Sequence, residues 1–347
     1  MPILHLHRLN RILCLLAVLV LGSLTVAPAA YAHTLTVCPS GCDFTAIQPA
    51  IDSASSGDTI RIFSGVYLGG ERDGFPAPIA VITDKSLVLE GVGATVLDCF
   101  GPGGCEELVQ LSCSQNHQIT IKRLTIQGGG SAHVGANLSN NGCELTLIDS
   151  AVIGSEGLGI EHQGRGMLTI KDSKVSDNDG GINISESKAF IINSTVNHNA
   201  GRYCGISNGG TLIVKHSSIV DNEAAGSGGG GIGNSGVAII EDSLIAGNMG
   251  GYADSLPRAG GIDNSGKLTL IRSTVRDNSA VSVCTTCGPS EGLGGGIYNK
   301  GDARLIDTMI TKNVAGRDGG GVFNDGGTVL QTRTLIINNT PNDCVGC

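Results

Sequence analysis

Through most of its length the chain alternates between apolar and polar residues. In Leu168-Thr-Ile-Lys-Asp-Ser-Lys-Val175 the apolar side chains fall at Leu168, Ile170 and Val175, the twofold period of a strand with one buried face. The same frame, apolar-x-apolar-x-x-Ser/Thr-x-Ile/Val-x-x-Asn, restarts at Ala189, Leu212, Ala238, Leu268, Ala303 and Val329, with poorer copies at Ile119 and Leu145. Its Ser/Thr position is held by Ser150, Ser173, Ser194, Ser217, Ser243, Ser273, Thr308 and Thr334, spaced 21 to 35 residues apart. No window within the repeats carries a helical period. One short helix is predicted before them, from Ile47, Ala50, Ile51 and Ala54 on one face, ending before Ser56-Gly57.

A constant core with variable gaps means one supersecondary unit per repeat, with insertions gathered in one loop. Short strands joined by bends, in repeats of this length, predict an all-β parallel β-helix of about ten coils stacked roughly 4.8 Å apart. The short helix would cap its N-terminal end and hide apolar edges. Stacking puts Asn178, Asn199, Asn222, Asn248, Asn278, Asn313 and Asn339 in one column. There each amide can bond its neighbours and satisfy the corner backbone. Asn208, Asn234, Asn264, Asn299 and Asn324 form a second column after a Gly-Gly-Ile motif. Both columns read as structural ladders rather than ligands. The motif's glycines, at Gly180, Gly229, Gly260, Gly294 and Gly319, read as tight corners; no Gly-Lys-Ser/Thr follows that would cradle a phosphate.

Residues 1–32 read as a secretory signal peptide. Arg8 and Arg11 precede the apolar run Ile12 to Leu21, and Ala30 and Ala32 stand before a cut ahead of His33. Residues 33–68 then supply the cap and first strand, and 69–118 the first coils with a cysteine-rich loop. Regular repeats fill 119–339, and 340–347 is a cysteine-containing tail. No second long apolar stretch follows, so no membrane span is expected after cleavage.

The segment DFTAIQPAIDSASSGDTIRIFSGVY, followed by LVLEGVGATVLD, resembles the opening of the right-handed, single-stranded β-helix of the pectin-lyase-like superfamily. The repeated GGGI-x-N and I/V-x-x-N elements are similar to those of polymorphic outer-membrane proteins. They also resemble bacterial surface proteins with a choice-of-anchor domain, whose last coil ends like Asn339-Thr-Pro-Asn-Asp-Cys344. The resemblance implies right-handed coils, in keeping with the general crossover rule, and an exported or surface-bound life. The aromatic usual before x-x-Asn in the polymorphic proteins is Ile or Val here, and no barrel-forming sequence follows the repeats, so autotransport is not expected. Asp-Asp, Gly-His-Gly and Arg-Ile-Lys signatures of polygalacturonases are absent.

Charge adds a direction. With 22 Lys+Arg against 31 Asp+Glu the net charge is −9, which argues against nucleic acid and anionic membranes as partners. Read down the stack, Asp177, His198 and Asp221 share a column, with Glu156, Asp179 and Glu223 beside it. Three readings stand: a solvated acidic corner, a Ca²⁺ site at Glu156, Asp177 and Asp179, or a proton-transfer row at Asp177, His198 and Asp221. No cofactor is required by any motif. A second column, from Asp149 to Arg333, alternates in sign in its later half and reads as a cross-strand ion-pair ladder.

Export permits disulfides. Cys38 and Cys42 form one local pair, and Cys99, Cys105 and Cys113 cluster for another. Of the twelve cysteines, Cys14 lies in the signal peptide, and the odd number that remains leaves at least one free or intermolecular thiol, with Cys143 or Cys204 favoured. Cys284-x-x-Cys287 and Cys344-x-x-Cys347 read as disulfides, with a Zn(Cys)₄ site as the alternative. The reading with most support is a secreted or cell-surface interaction or adhesion module, its partner a polysaccharide or a surface protein. The alternatives are a lyase or hydrolase acting with Ca²⁺ on an acidic polysaccharide, and a purely structural envelope component.

Overall fold

A computed structural model describes residues 32–69, 71–72, 75–99, 105–130, 135–225, 228–251, 257–281 and 291–347. His33–Cys347 form one compact unit; residues 1–31, which the sequence reading assigns to a signal peptide, lie outside the described residues.

The alternation becomes parallel strands. A representative coil runs Ile206–Asn208, Thr211–Lys215 and Ser218–Val220. Strands of the second and third kind build a 21-stranded sheet creased at the Ser/Thr bend, and those of the first kind an 11-stranded sheet. Eleven strands on that side mean eleven coils, one more than the repeats suggest. Register is kept throughout: Leu168, Ala189, Leu212, Ala238, Leu268, Ala303 and Val329 pair in succession. All but the last are buried, with large Leu and small Ala alternating along the bore.

Two bends per coil are made by residues in the left-handed region. The residue before each Ser/Thr has φ near +50°, from Arg123 and Asp149 to Asp307 and Arg333. The residue before each ladder Asn does likewise, at Asp177 (+59°), His198 (+52°), Asp221 (+53°), Asp277 (+54°) and Lys312 (+57°). Asp, Asn and Gly tolerate that conformation best. The serine that follows fixes the first bend. Ser194 Oγ donates to the Ile192 carbonyl at 2.7 Å and accepts the Ser173 backbone N–H at 3.1 Å, and Ser173, Ser217, Ser243 and Ser273 repeat the pattern.

The second bend is held by the asparagines. Nδ2 of Asn178, Asn199, Asn222, Asn248, Asn278 and Asn313 each donates to Oδ1 of the next, at 2.8–2.9 Å. The ladder from Asn208 through Asn234, Asn264 and Asn299 to Asn324 runs at 2.7–2.8 Å. Past the first ladder, two-residue strands such as Glu223–Ala224 and Met249–Gly250 form a five-stranded ladder. At the Gly-Gly corners close approach matters more than φ: a Cβ on Gly181 would lie 2.0 Å from the Gly205 carbonyl oxygen.

The N-terminal cap is more than a helix. Helix α1, Ile47–Ser53, buries Ile47, Ala50 and Ile51, but a strand at Thr34–Val37 precedes it and pairs with Thr59–Ile62. Three- and four-residue apolar segments such as Leu35-Thr-Val37 are too short to announce themselves as strands by period alone.

Candidate functional site

Part of the acidic column comes together. Glu156, Asp177, Asp179 and His198 border a shallow depression of about 550 Å³, while Asp221 and Glu223 do not line it. Asp177 accepts the Ser176 hydroxyl at 2.6 Å and lies 3.8 Å from Lys174 Nζ. The His198 ring bonds the neighbouring Asn197 amide, and Asp221 lies across the bare Cα of Gly247 one coil on. Among the described residues no three His, Cys, Asp or Glu side chains converge as a metal cage. The left-handed bend accounts for Asp, His and Asp at these three positions without any chemistry.

On the other bend column, Arg272 makes paired bonds to Asp242 at 2.7 and 2.8 Å, and Arg333 to Asp307 at 2.5 and 2.6 Å. This is the ion-pair ladder of alternating sign. It is exposed and contributes little to stability.

The cysteines pair as Cys38–Cys42, Cys99–Cys105, Cys113–Cys143 and Cys344–Cys347. Cys113 therefore reaches across to Cys143 on the next coil, and among the described residues the unpaired thiol is Cys204 rather than Cys143. Burial pushes that thiol up to about 11. With Cys344 bonded to Cys347, a four-cysteine zinc site is not formed; Cys284 and Cys287 lie outside the described residues.

A different cluster stands on the outer side of the 11-stranded sheet. Gly233, Asp263, Tyr298 and Phe323 are in register on successive coils, each the outward residue between an inward Ile or Val and a ladder Asn. Tyr298 and Phe323 stack with centroids 5.8 Å apart and planes 6° from parallel. Arg258 and Lys300 lie 5.5 and 5.8 Å from the Tyr298 centroid. The Tyr298 hydroxyl donates to Asp325 at 2.5 Å, and Lys300 Nζ lies 3.2 Å from the same carboxylate oxygen. Asp325 is held below the usual carboxylate range by these two bonds, while burial raises Tyr298.

Among the described residues burial raises two carboxyls, those of Glu161 and Asp263. That of Asp263 is pushed up to about 6, with Arg258 and Lys300 pulling it partly back. Asp263 makes no hydrogen bond or ion pair with another described residue. Gly233 leaves bare space on one side, where a Cβ would meet the Cys204 sulfur at 3.3 Å. The column x in Ile-x-Asn reads Ser207, Gly233, Asp263, Tyr298, Phe323 in the sequence; following it down the stack would have brought Asp263 and Tyr298 together.

This flank also receives the length variation of the later coils. Successive ladder asparagines are separated by 23, 26, 30 and 35 residues. The strands keep their lengths, and the extra residues enter between the two-residue strands and the 11-stranded sheet, at 225–231, 251–261 and 281–296.

A family model described as a right handed beta helix region matches residues 109–262, and the chain is a right-handed parallel β-helix. Solved structures of similar fold include the pectate lyase Pel9A, 12% identical over 90% of this chain and 79% of that one, with a TM-score of 0.47. Another is the A-module of the mannuronan C-5 epimerase AlgE4 of Azotobacter vinelandii, 17% identical over 82% and 83%, TM-score 0.49. A third is PfbA, a surface adhesin of Streptococcus pneumoniae, 11% identical over 81% and 78%, TM-score 0.42. Activity does not transfer at such distances. No curated protein matches the sequence.

Proposed function

We propose that the chain is an exported β-helix that works as an interaction module, and that it recognises its partner on the outer side of the 11-stranded sheet in the later coils. One observation carries this. In the later coils the connection leading into that sheet lengthens, and the cluster of Arg258, Asp263, Tyr298 and Lys300 stands on its outer side. Binding residues collect on loops positioned by a rigid scaffold, and here ladders supply the scaffold. The four disulfides among the described residues suit an oxidising compartment, and no helix among those residues is long and apolar enough to cross a membrane. The likeness of the repeats to polymorphic outer-membrane and choice-of-anchor surface proteins points the same way.

The test is retention of the purified protein on the envelope fraction of the cells that make it. Arg258→Glu with Lys300→Glu is expected to lower retention at least tenfold, and Asp177→Asn with Asp179→Asn to leave it unchanged. Unaltered retention in the first variant sinks the proposal. The alternative is a Ca²⁺-assisted lyase or hydrolase centred on Asp177, His198 and Asp221. It would be favoured by saturable Ca²⁺ binding lost in the second variant, together with product release from an acidic polysaccharide.

A further inference from the structure

We infer that the cluster around Asp263 binds a neutral saccharide, taking neighbouring ring hydroxyls between the Asp263 carboxylate and the cations of Arg258 and Lys300. The inference rests on the reading of this flank as the recognition face. The ligand's chemistry follows from the groups left over. Asp263 is largely buried and accepts no hydrogen bond from another described residue, so both its oxygens keep acceptor capacity. Arg258 lies against the Tyr298 ring and pairs with no carboxylate among the described residues, so its donors are likewise unspent. Spare acceptors beside spare donors are completed by a diol, because each hydroxyl both donates and accepts.

Charge excludes the other candidates. A bound carboxylate would gain Arg258 but face Asp263 and Asp325; a bound amine would face Arg258 and Lys300. Two acids and two bases leave the cluster neutral, and a chain of net charge −9 does not draw in a polyanion. Apolar surface is present too. The stacked pair of Tyr298 and Phe323 sits in the same column, with Phe323 half-buried, and aromatic side chains combine apolar area with fixed geometry. Lys300 also borders a second depression, of about 450 Å³, lined by Ser265, Gly301, Gly327 and Thr328 among others. That volume is within the range of small-ligand sites, and its lining is polar and uncharged apart from Lys267, Lys300 and Asp302.

Calorimetric titration of the purified protein with maltohexaose, cellohexaose, mannohexaose and hexagalacturonate at pH 7.5 tests this. At least one neutral hexasaccharide is expected to bind saturably and more tightly than hexagalacturonate. Asp263→Asn should weaken it at least tenfold while melting no lower than wild type, which shows that the variant folds. Lys300→Met, at an exposed position, should weaken it less. Preference for hexagalacturonate, neutral binding indifferent to Asp263→Asn, or no binding of any neutral probe would overturn the inference. If envelope retention still falls in Arg258→Glu/Lys300→Glu when no neutral probe binds, the saccharide falls alone; if retention is also indifferent, the recognition face falls with it.

Discussion

Asp343 ends the long asparagine ladder. Its Oδ1 accepts both the backbone N–H and the side-chain amide of Asn339, at 2.9 and 3.0 Å. Each earlier rung receives the same two bonds from the rung before it. At the last coil no further amide waits to be donated to, so a carboxylate, which only accepts, completes the column. Asp343→Ala is expected to destabilise the last coil by about 1–3 kcal/mol, and Asp343→Asn to recover most of that. Native hydrogen exchange at residues 335–339 would report the loss, because an end coil opens locally before the stack does.

Within the stack the cost is larger. Asn248 Nδ2 donates to Ile219 O at 3.0 Å and Asn278 Oδ1 at 2.9 Å, and its Oδ1 accepts the N–H and Nδ2 of Asn222 at 3.0 and 2.9 Å. Asn248→Ala orphans buried groups on both neighbouring coils. We predict a loss of roughly 3–5 kcal/mol, measured by denaturant unfolding, clearly exceeding the effect of Asp343→Ala. An equal or smaller loss would mean that the rungs act independently of their position.

Asp263 should oppose folding at neutral pH. Its folded carboxyl titrates near 6 against 3.8 for the ordinary group, so from about pH 4 to 6 the folded chain holds more protons than the unfolded one. Stability from this group therefore falls as pH rises through that window. Asp263→Asn should raise stability at pH 7.5 by up to about 3 kcal/mol and change nothing below pH 4. Thermal melts of the two proteins across pH decide it, and a variant that is less stable at pH 7.5 would refute the burial argument.

His162 has the opposite sense. Its ring is fully buried, Nδ1 lies 2.9 Å from the Asn140 amide, and Nε2 has no partner. Burial lowers its pKa from 6.5, so the unfolded chain takes up the proton first and stability falls as pH drops below about 6.5. His162→Leu is expected to shift the acid-unfolding midpoint to lower pH. An unmoved midpoint would place the acid sensitivity elsewhere.

Cys204 should be inert until the coils open. Its thiol is buried and pushed up to about 11, and thiols react as thiolates. Iodoacetamide at pH 8 is expected to leave the Cys204 peptide unmodified in the native protein and to label it fully in denaturant, as read by mass spectrometry.

The strands and both asparagine columns are legible in the sequence because one face of every coil must be apolar and every buried corner amide must find a partner. Each requirement returns at each repeat. The bend columns are legible too: Asp177, His198 and Asp221 sit where φ is positive, and the sequence shows this as a column rich in Asp, Asn, His and Gly. Asp263 escapes notice for the converse reason. Tyr298 stands 35 residues further on and Lys300 beyond it, and each alone reads as filler beside a ladder Asn. The Cys113–Cys143 bond escapes similarly, since its 30-residue separation is short only across stacked coils.

The asparagine bond is 2.9 Å whether the coil it closes holds 23, 26, 30 or 35 residues. The spine does not register how much chain is looped out beside it. Descendants of such a gene can lengthen, shorten or exchange those loops without renegotiating the fold. Specificity is thereby free to drift faster than architecture, and two proteins with the same rungs need share no ligand.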